Sequence, residues 1–373
     1  MTGDHRFITI FLSGDVMTGR GIDQILRHPS DPLIHEMFVH DARTYVGLAE
    51  EANGPIPRPV DGSYVWGDAL AELDAVGTDV RIVNLETSVT HSSDAWPKGI
   101  NYRMNPANVD CLTAARIDVC VLANNHVLDY RYSGLTETVH ALRAARLATT
   151  GAGQTIDEAQ RPAVVDVGDG FRVVVHALGT ESSGVFPSWA AGPSRPGVAF
   201  ASDDELLDET VAVGPRTAGV AGRDGSITVA SIHWGSNWGY EVPDEHVRFA
   251  HRLIDSGADI VHGHSSHHPR PIEVYRNRLI LYGCGDLIND YEGIGGNEEY
   301  RGDLALMYIA TLDAESGELA RLRMTPMQIR KMRLNRAEPE DARFLGETVG
   351  QISATFGSRV EQAEDGALLL AWA

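Results

Sequence analysis

Cysteine is scarce in this chain. Cys111, Cys120 and Cys284 are the only three in 373 residues, an odd set without a C-x-x-C pair. Neither a disulfide framework nor a zinc ribbon can be built from them, so they read as reduced thiols in a reducing compartment. Long hydrophobic runs are also missing. Met1–Arg6 is polar, and the apolar stretch Phe7–Leu12 is too short for a signal core of roughly 7–15 residues and far too short for a membrane span of ~18. Positive charge is the third shortage: 31 Lys and Arg stand against 52 Asp and Glu, a formal charge of −21. Such a field repels phosphate backbones and anionic lipid, which argues against nucleic-acid or membrane partners. A cytoplasmic protein is expected.

What is present suits a large buried core: 43% hydrophobic and 22% charged residues, enough to rule out wholesale disorder. Short Val- and Ile-rich runs alternate with helical patterns. Phe7–Leu12, Asp79–Asn84 and Asp118–Ala123 read as strands covered on both faces, because each is nearly continuous in apolar residues. Helices are expected over Asp41–Ala52, Gly67–Val76, Pro106–Ala115 and Gly134–Arg146, and this repeated order argues for a largely parallel sheet. The second half adds hairpins around Gly168-Asp169-Gly170 and Arg276-Asn277-Arg278. It also holds strands at Ser226–Ile232 and Asp259–His262, a helix at Pro243–Ser256, an antiparallel pair Leu304–Leu312 and Leu319–Thr325, and a terminal helix Pro339–Phe356. No internal repeat or low-complexity linker interrupts the chain, so residues 1–373 read as one domain of α/β class.

In open α/β folds ligands bind beyond the carboxyl ends of the strands. Polar residues collect at those ends here: Asp15 after the first strand, Glu86 after the second, Asn124-Asn125-His126 after the third, then His233 and His264. An Asp or Asn in such a place is commonly a turn or cap residue. Five such strand ends carrying carboxylate, carboxamide or imidazole make a site.

This order resembles the calcineurin-like metallophosphoesterases, which set Asp, Asp, Asn-His, His and His at successive strand ends around two metals. The likeness is to their CapA-like group, named after poly-γ-glutamate capsule synthesis proteins. It is carried by Gly14–Arg20 (GDVMTGR), Asn84–Thr87 (NLET), Ala123–Asp129 (ANNHVLD) and the run His262–Gly293, and it spans nearly the whole chain. It implies an αββα sandwich of two mixed β-sheets flanked by helices.

On this resemblance Asp15 matches the first carboxylate, while the histidine usual two residues later is Met17, a poor ligand for Zn, Mn or Fe. Glu86 takes the bridging position, Asn125 and His126 the Asn-His pair, and His233 with His264, His267 or His268 the later histidines. One metal shell can be filled by Glu86, Asn125, His233 and His264; the other keeps only Asp15 and His267. One divalent ion (Mn, Fe or Zn) is the cofactor this set allows, and a metal-free acid–base site is the alternative. Arg20 and Arg103 are candidate receptors for an anion, Trp234 and Trp238 for an apolar group. Asp286 or Asp290 can orient a ligand histidine, and Cys284 reads as packing.

Some members of the group resemble epimerases that invert a peptide α-carbon in ribosomal-peptide pathways. The activity expected is therefore acid–base epimerisation of a peptide, with base and conjugate acid drawn from Asp15, His126, His264 and His267. A metal-dependent hydrolase of a phosphoester, peptide or isopeptide bond is the alternative, as is an accessory protein of poly-γ-glutamate synthesis. The substrate expected is a peptide or amino-acid polymer.

Overall fold

Side-chain alternation along the first strand sets the layering. In Phe7–Val16, Ile8, Ile10 and Leu12 join one apolar cluster and Phe11 another, as a period of two requires. The computed structural model describes residues 6–207 and 225–372; the polar segment 1–5 lies outside them. Strand Val80–Leu85, then Val119–Val121 and Ala148–Thr150, continue the first sheet in parallel on one side of Phe7–Val16. On the other side Leu304–Asp313, Leu319–Ile329, Leu368–Trp372 and Ser358–Gln362 follow in antiparallel order.

The second sheet runs Phe171–Thr180, Ser226–His233, Ile260–His264 and Arg278–Leu281, all parallel. Ala163–Gly168 and Ile272–Tyr275 pair antiparallel with its first and last members, closing the two expected hairpins. Ile10, Leu12 and Ile82 of the first sheet meet Val175, Val229 and Ile260 of the second in a dry seam. Outside the first sheet, Phe11, Val83 and Leu85 bury against Val46, Leu73 and Leu135 of helices Arg43–Asn53, Ala69–Val76 and Arg131–Ala144. Outside the second, Ile232, Val261 and Ile280 take the apolar stripe Phe249, Leu253 and Ile254 of helix Asp244–Asp255. These four layers are an αββα sandwich. Among the described residues no helix is long and apolar enough to cross a membrane.

Most element boundaries fall within two residues of expectation, and the differences matter for the site. The first strand does not stop at Leu12. It continues to Val16 because Asp15 and Val16 pair in register with Asn84 and Leu85 and, on the other edge, with a short strand Asp286–Ile288. A register shift between Ser13 and Asp15 marks a bulge there. Asp15 is thus held inside a sheet rather than on a loop.

Candidate functional site

The carboxyl ends of the parallel strands of both sheets border one cavity of about 820 Å³. Asp15, Glu86, Asn125, His126, His233 and His267 line it, so five of the side chains picked from strand ends are brought together with the His267 that the resemblance adds. His264 is fully buried directly behind His233.

The histidines of the second sheet form a chain whose polarity follows from its last member. His262 Nε2 lies 2.8 Å from the Ser13 carbonyl oxygen, which can only accept, so that nitrogen carries the proton. Burial holds His262 down to about 4, hence neutral, and its Nδ1 accepts from the Ser231 hydroxyl at 3.0 Å. Ser231 Oγ then accepts from His264 Nε2 at 2.9 Å, and His264 Nδ1 accepts from His233 Nδ1 at 2.8 Å. Burial keeps both of these rings neutral as well, pushed well below the usual imidazole value. His233 Nε2 is left with a lone pair, 3.3 Å from Asn125 Oδ1 and 3.5 Å from Glu86 Oε1. Three electron-pair donors face one another, an arrangement that either a proton held by Glu86 or a cation satisfies.

The carboxylates are arranged to match. Asn84 Nδ2 donates to Asp15 Oδ1 at 2.8 Å and to Glu86 Oε2 at 2.6 Å, and its own Oδ1 accepts from Asn124 at 3.0 Å. Burial, with the neighbouring Asp286 carboxylate, lifts Asp15 to about 7. Burial and Asp15 lift Glu86 well above the usual range. His267 Nδ1 bonds Asp286 Oδ1 at 3.0 Å. Burial alone lowers this imidazole, but Asp286 and Asp15 more than reverse that and raise it. Asp15, His233 and His264 each offer a ligand atom within 4.8 Å of the others, and so do Asp15, His267 and Asp286. The carboxylate common to both groups is Asp15, where the sequence pattern puts Glu86 in the bridging place. Buried oxygen and imidazole donors of this kind suit Mn, Fe or Zn.

On the opposite wall His126 Nδ1 donates to Asp129 Oδ2 at 2.6 Å. Burial lowers this ring to about 4, which leaves Nε2 unprotonated and makes the resting side chain a base. Its face stacks on Tyr102 at 4.0 Å, and the Tyr102 hydroxyl meets that of Tyr291 at 2.7 Å. Lys98 Nζ sits 2.7 Å from Asp129 Oδ1 and 3.3 Å from His126 Nδ1. Lys98, Tyr102 and Tyr291 are absent from the residues the sequence singles out as candidates for this site. A signal existed for Lys98, since the chain has only one other lysine, Lys331.

The anion and aromatic receptors need correcting. Arg20 borders the cavity, yet its guanidinium bonds Asp290 through Nε and Nη2, bonds Glu36 at 2.9 Å, and lies 3.6 Å over the Tyr45 ring. With both partners buried, it has no face left for a substrate anion. Arg103 donates to the backbone oxygens of Ser92 and Asp31 and does not line the cavity. Trp234 is buried in the outer core, stacked on His246, with its Nε1 bonded to the Tyr282 carbonyl oxygen. Trp238 alone of the pair reaches the cavity, 5.2 Å from the His267 ring. His268 faces the aromatic box of Trp238, Tyr240 and Tyr300. Cys284 is buried and its thiol pushed well up, as packing requires.

An αββα sandwich with histidines, carboxylates and carboxamides at one rim is the architecture that the sequence resemblance implies. A sequence model described as "Bacterial capsule synthesis protein PGA_cap" matches residues 9–291, and the chain belongs to that family. It is 50% identical over 369 residues to a "Probable polyglutamine synthesis accessory protein" of Mycobacterium tuberculosis strain H37Rv, covering 99% of this chain and 97% of that one. It is 30% identical over 299 residues to the "PGA biosynthesis protein CapA" of Bacillus subtilis, covering 78% and 73%. A phosphatase structure from Mycoplasma pneumoniae superposes over 87% of this chain and 94% of its own at 10% identity, with a TM-score of 0.44, too low to carry an argument. The relatives' names speak of polymer synthesis and none of epimerisation, which favours the alternatives over the expected activity.

Proposed function

We propose that this chain is a divalent-metal-dependent hydrolase serving the synthesis of a glutamyl-type amino-acid polymer, and that it cleaves a peptide or isopeptide bond of that polymer. The observation that carries the reading is the pair of donor groups meeting at Asp15 on the cavity wall, beside a His233 lone pair with no hydrogen to accept except from a protonated Glu86. His233, Glu86 and Asn125 would hold the ion through the His233 Nε2 lone pair, with Asp15 next to them and His264 fixing the His233 ring from behind. When bound, it supplies Lewis-acid charge to the reacting carbonyl and to water.

The chain's own residues do the rest. Asp129 fixes the His126 tautomer, so Nε2 can take a proton from attacking water and return it to the leaving nitrogen. Lys98 holds positive charge beside Glu86 and Asp129, where an anionic substrate group would be received. Tyr102 stacks on His126 and keeps its ring in place.

Epimerisation stands as the second reading on one observation: Asp15, lifted to about 7, is a base poised near neutral pH beside His267. Elemental analysis before and after chelation, paired with an assay of γ-glutamyl peptides in heavy water, separates the two. About one or two equivalents of Mn, Fe or Zn, with chelator-sensitive bond cleavage, is the expected result. A metal-free, active protein that places deuterium at an α-carbon without cleaving the chain would overturn it in favour of epimerisation.

A further inference from the structure

We infer that Arg330 and Lys331, at a hairpin tip on the rim of the cavity, form a subsite for the side carboxylates of a polyanionic substrate, beyond the bond being cleaved. The inference rests on the proposed glutamyl-polymer substrate. Strands Leu319–Ile329 and Leu334–Arg336 pair antiparallel, and residues 330–333 turn between them, the Arg330 N–H donating to the Arg333 carbonyl oxygen at 3.0 Å. Lys331 and Met332 take φ of 61° and 52°, the left-handed pair of a tight hairpin turn that Asn-Gly would adopt at less cost. Two anchors hold the turn. The buried Met332 side chain joins the core outside the first sheet. Glu292 accepts from the N–H groups of Lys331 and Met332, and from Asn53 Nδ2 at 2.6 Å. That carboxylate is thereby spent on main-chain and carboxamide donors.

The two cations at the tip are not spent. Among the described residues neither Arg330 nor Lys331 forms an ion pair, whereas Arg333 and Arg336 of the same basic run are paired with Asp68 and Glu72. Arg330, Lys331 and Arg333 border a hollow of about 600 Å³ with Asn53, Tyr64 and Asn335, and among the described residues no carboxylate lines it. Asn53 and Arg330 also border the large cavity, so the two spaces adjoin. The chain has two lysines: Lys98 lines the cavity beside His126, and Lys331 lines the hollow. On a protein of formal charge −21 the general field repels a polyanion, so such a chain settles only where positive charge is local and available. A guanidinium and an ammonium on one turn supply that, each able to make charge-assisted hydrogen bonds to carboxylates.

The test is fluorescence anisotropy of a dye-labelled γ-glutamyl decamer mixed rapidly with the full-length chain and read before turnover, with cleavage followed separately by mass spectrometry. Arg330→Gln combined with Lys331→Gln should bind about tenfold more weakly than the wild type. Arg330→Gln alone, which leaves the left-handed pair untouched, should show a smaller loss in the same direction. Arg248→Gln, on helix Asp244–Asp255 in the outer layer of the second sheet, should bind as the wild type does. Unweakened binding by both the single and the double variant would overturn the inference, as would equal affinity of the wild type for an uncharged γ-glutaminyl decamer. A wild type that cleaves a γ-glutamyl dipeptide without binding the decamer would overturn it while leaving the proposed function standing. Decamer binding that the substitutions weaken, with no glutamyl bond cleaved, would uphold the subsite and overturn the hydrolase. Neither binding nor cleavage would overturn both.

Discussion

Lys98 holds a cation against two groups that respond to it differently. It pairs with the fully buried Asp129, and it adds to the burial that depresses His126. In Lys98→Met the Asp129 oxygen loses its partner, which costs about 1–3 kcal/mol, and the His126 pKa climbs from about 4 towards its ordinary value. An NMR titration of the imidazole reads the second effect directly, and an unmoved His126 would refute the arrangement. Arg20 calls for a different prediction. Its removal leaves Asp290 and Glu36 buried without a counter-charge, so Arg20→Ala should cost about 3–5 kcal/mol in denaturant unfolding. Arg20→Lys should rescue little, since one ammonium cannot serve both carboxylates in the forked geometry. Of these side chains, the strand-end donors were legible because each follows directly on an apolar run. Lys98, Tyr102 and Tyr291 come from irregular segments with no periodicity to flag them, and Trp234 differs from Trp238 only in which way the chain turns after His233.

Between elements, the critical contact is the one that brings Asp286 beside Asp15. The Asp15 N–H donates to the Gly285 carbonyl oxygen at 3.1 Å, and a Cβ at Gly14 would run into that same oxygen. Gly14→Ala must therefore push the Asp286–Ile288 strand away from the first strand. The expected outcome is a lower melting temperature together with weaker metal retention, and a variant that keeps both would show the strand pairing to be dispensable for the site. Phe249→Ala, in the sheet-facing stripe of helix Asp244–Asp255, is the control: about 3–5 kcal/mol of lost packing with metal content unchanged. The alternation of apolar runs and helical stripes revealed the two sheets and most helices. Asp286–Ile288 escaped, because three residues between a glycine turn and a polar loop carry no readable period. The strands Ser358–Gln362 and Leu368–Trp372 escaped as well; the first is a half-exposed, mostly polar edge strand.

Across the whole molecule, an unusual number of imidazoles are buried and neutral. Burial sets His126, His246, His262 and His268, with the half-buried His176, to about 4, and holds His233 and His264 well below the usual imidazole value. Each contributes stability that is fully present above the unfolded value of 6.5 and is lost as pH falls towards 4. Asp15 and Glu86 act in the opposite sense, since raised carboxyls favour the fold below their unfolded values and lose that contribution as pH rises. With the histidines in the majority, the chelated protein should lose stability steadily between pH 6.5 and 4. His246→Gln, remote from the cavity, should flatten that slope, and a calorimetric pH series that shows no change would count against burial as its origin.

The His262 link to Ser13 spans the seam between the two sheets, and it ends on a main-chain carbonyl. No replacement at position 13 other than one that moves the strand can take that acceptor away. The direction in which every proton of the His262–Ser231–His264–His233 series points is therefore inherited from the backbone. Sequence drift can interrupt the series only at Ser231 or at the histidines themselves: residue 13, though buried, offers its carbonyl whatever its side chain, while at residue 231 even threonine must keep its hydroxyl on the same side.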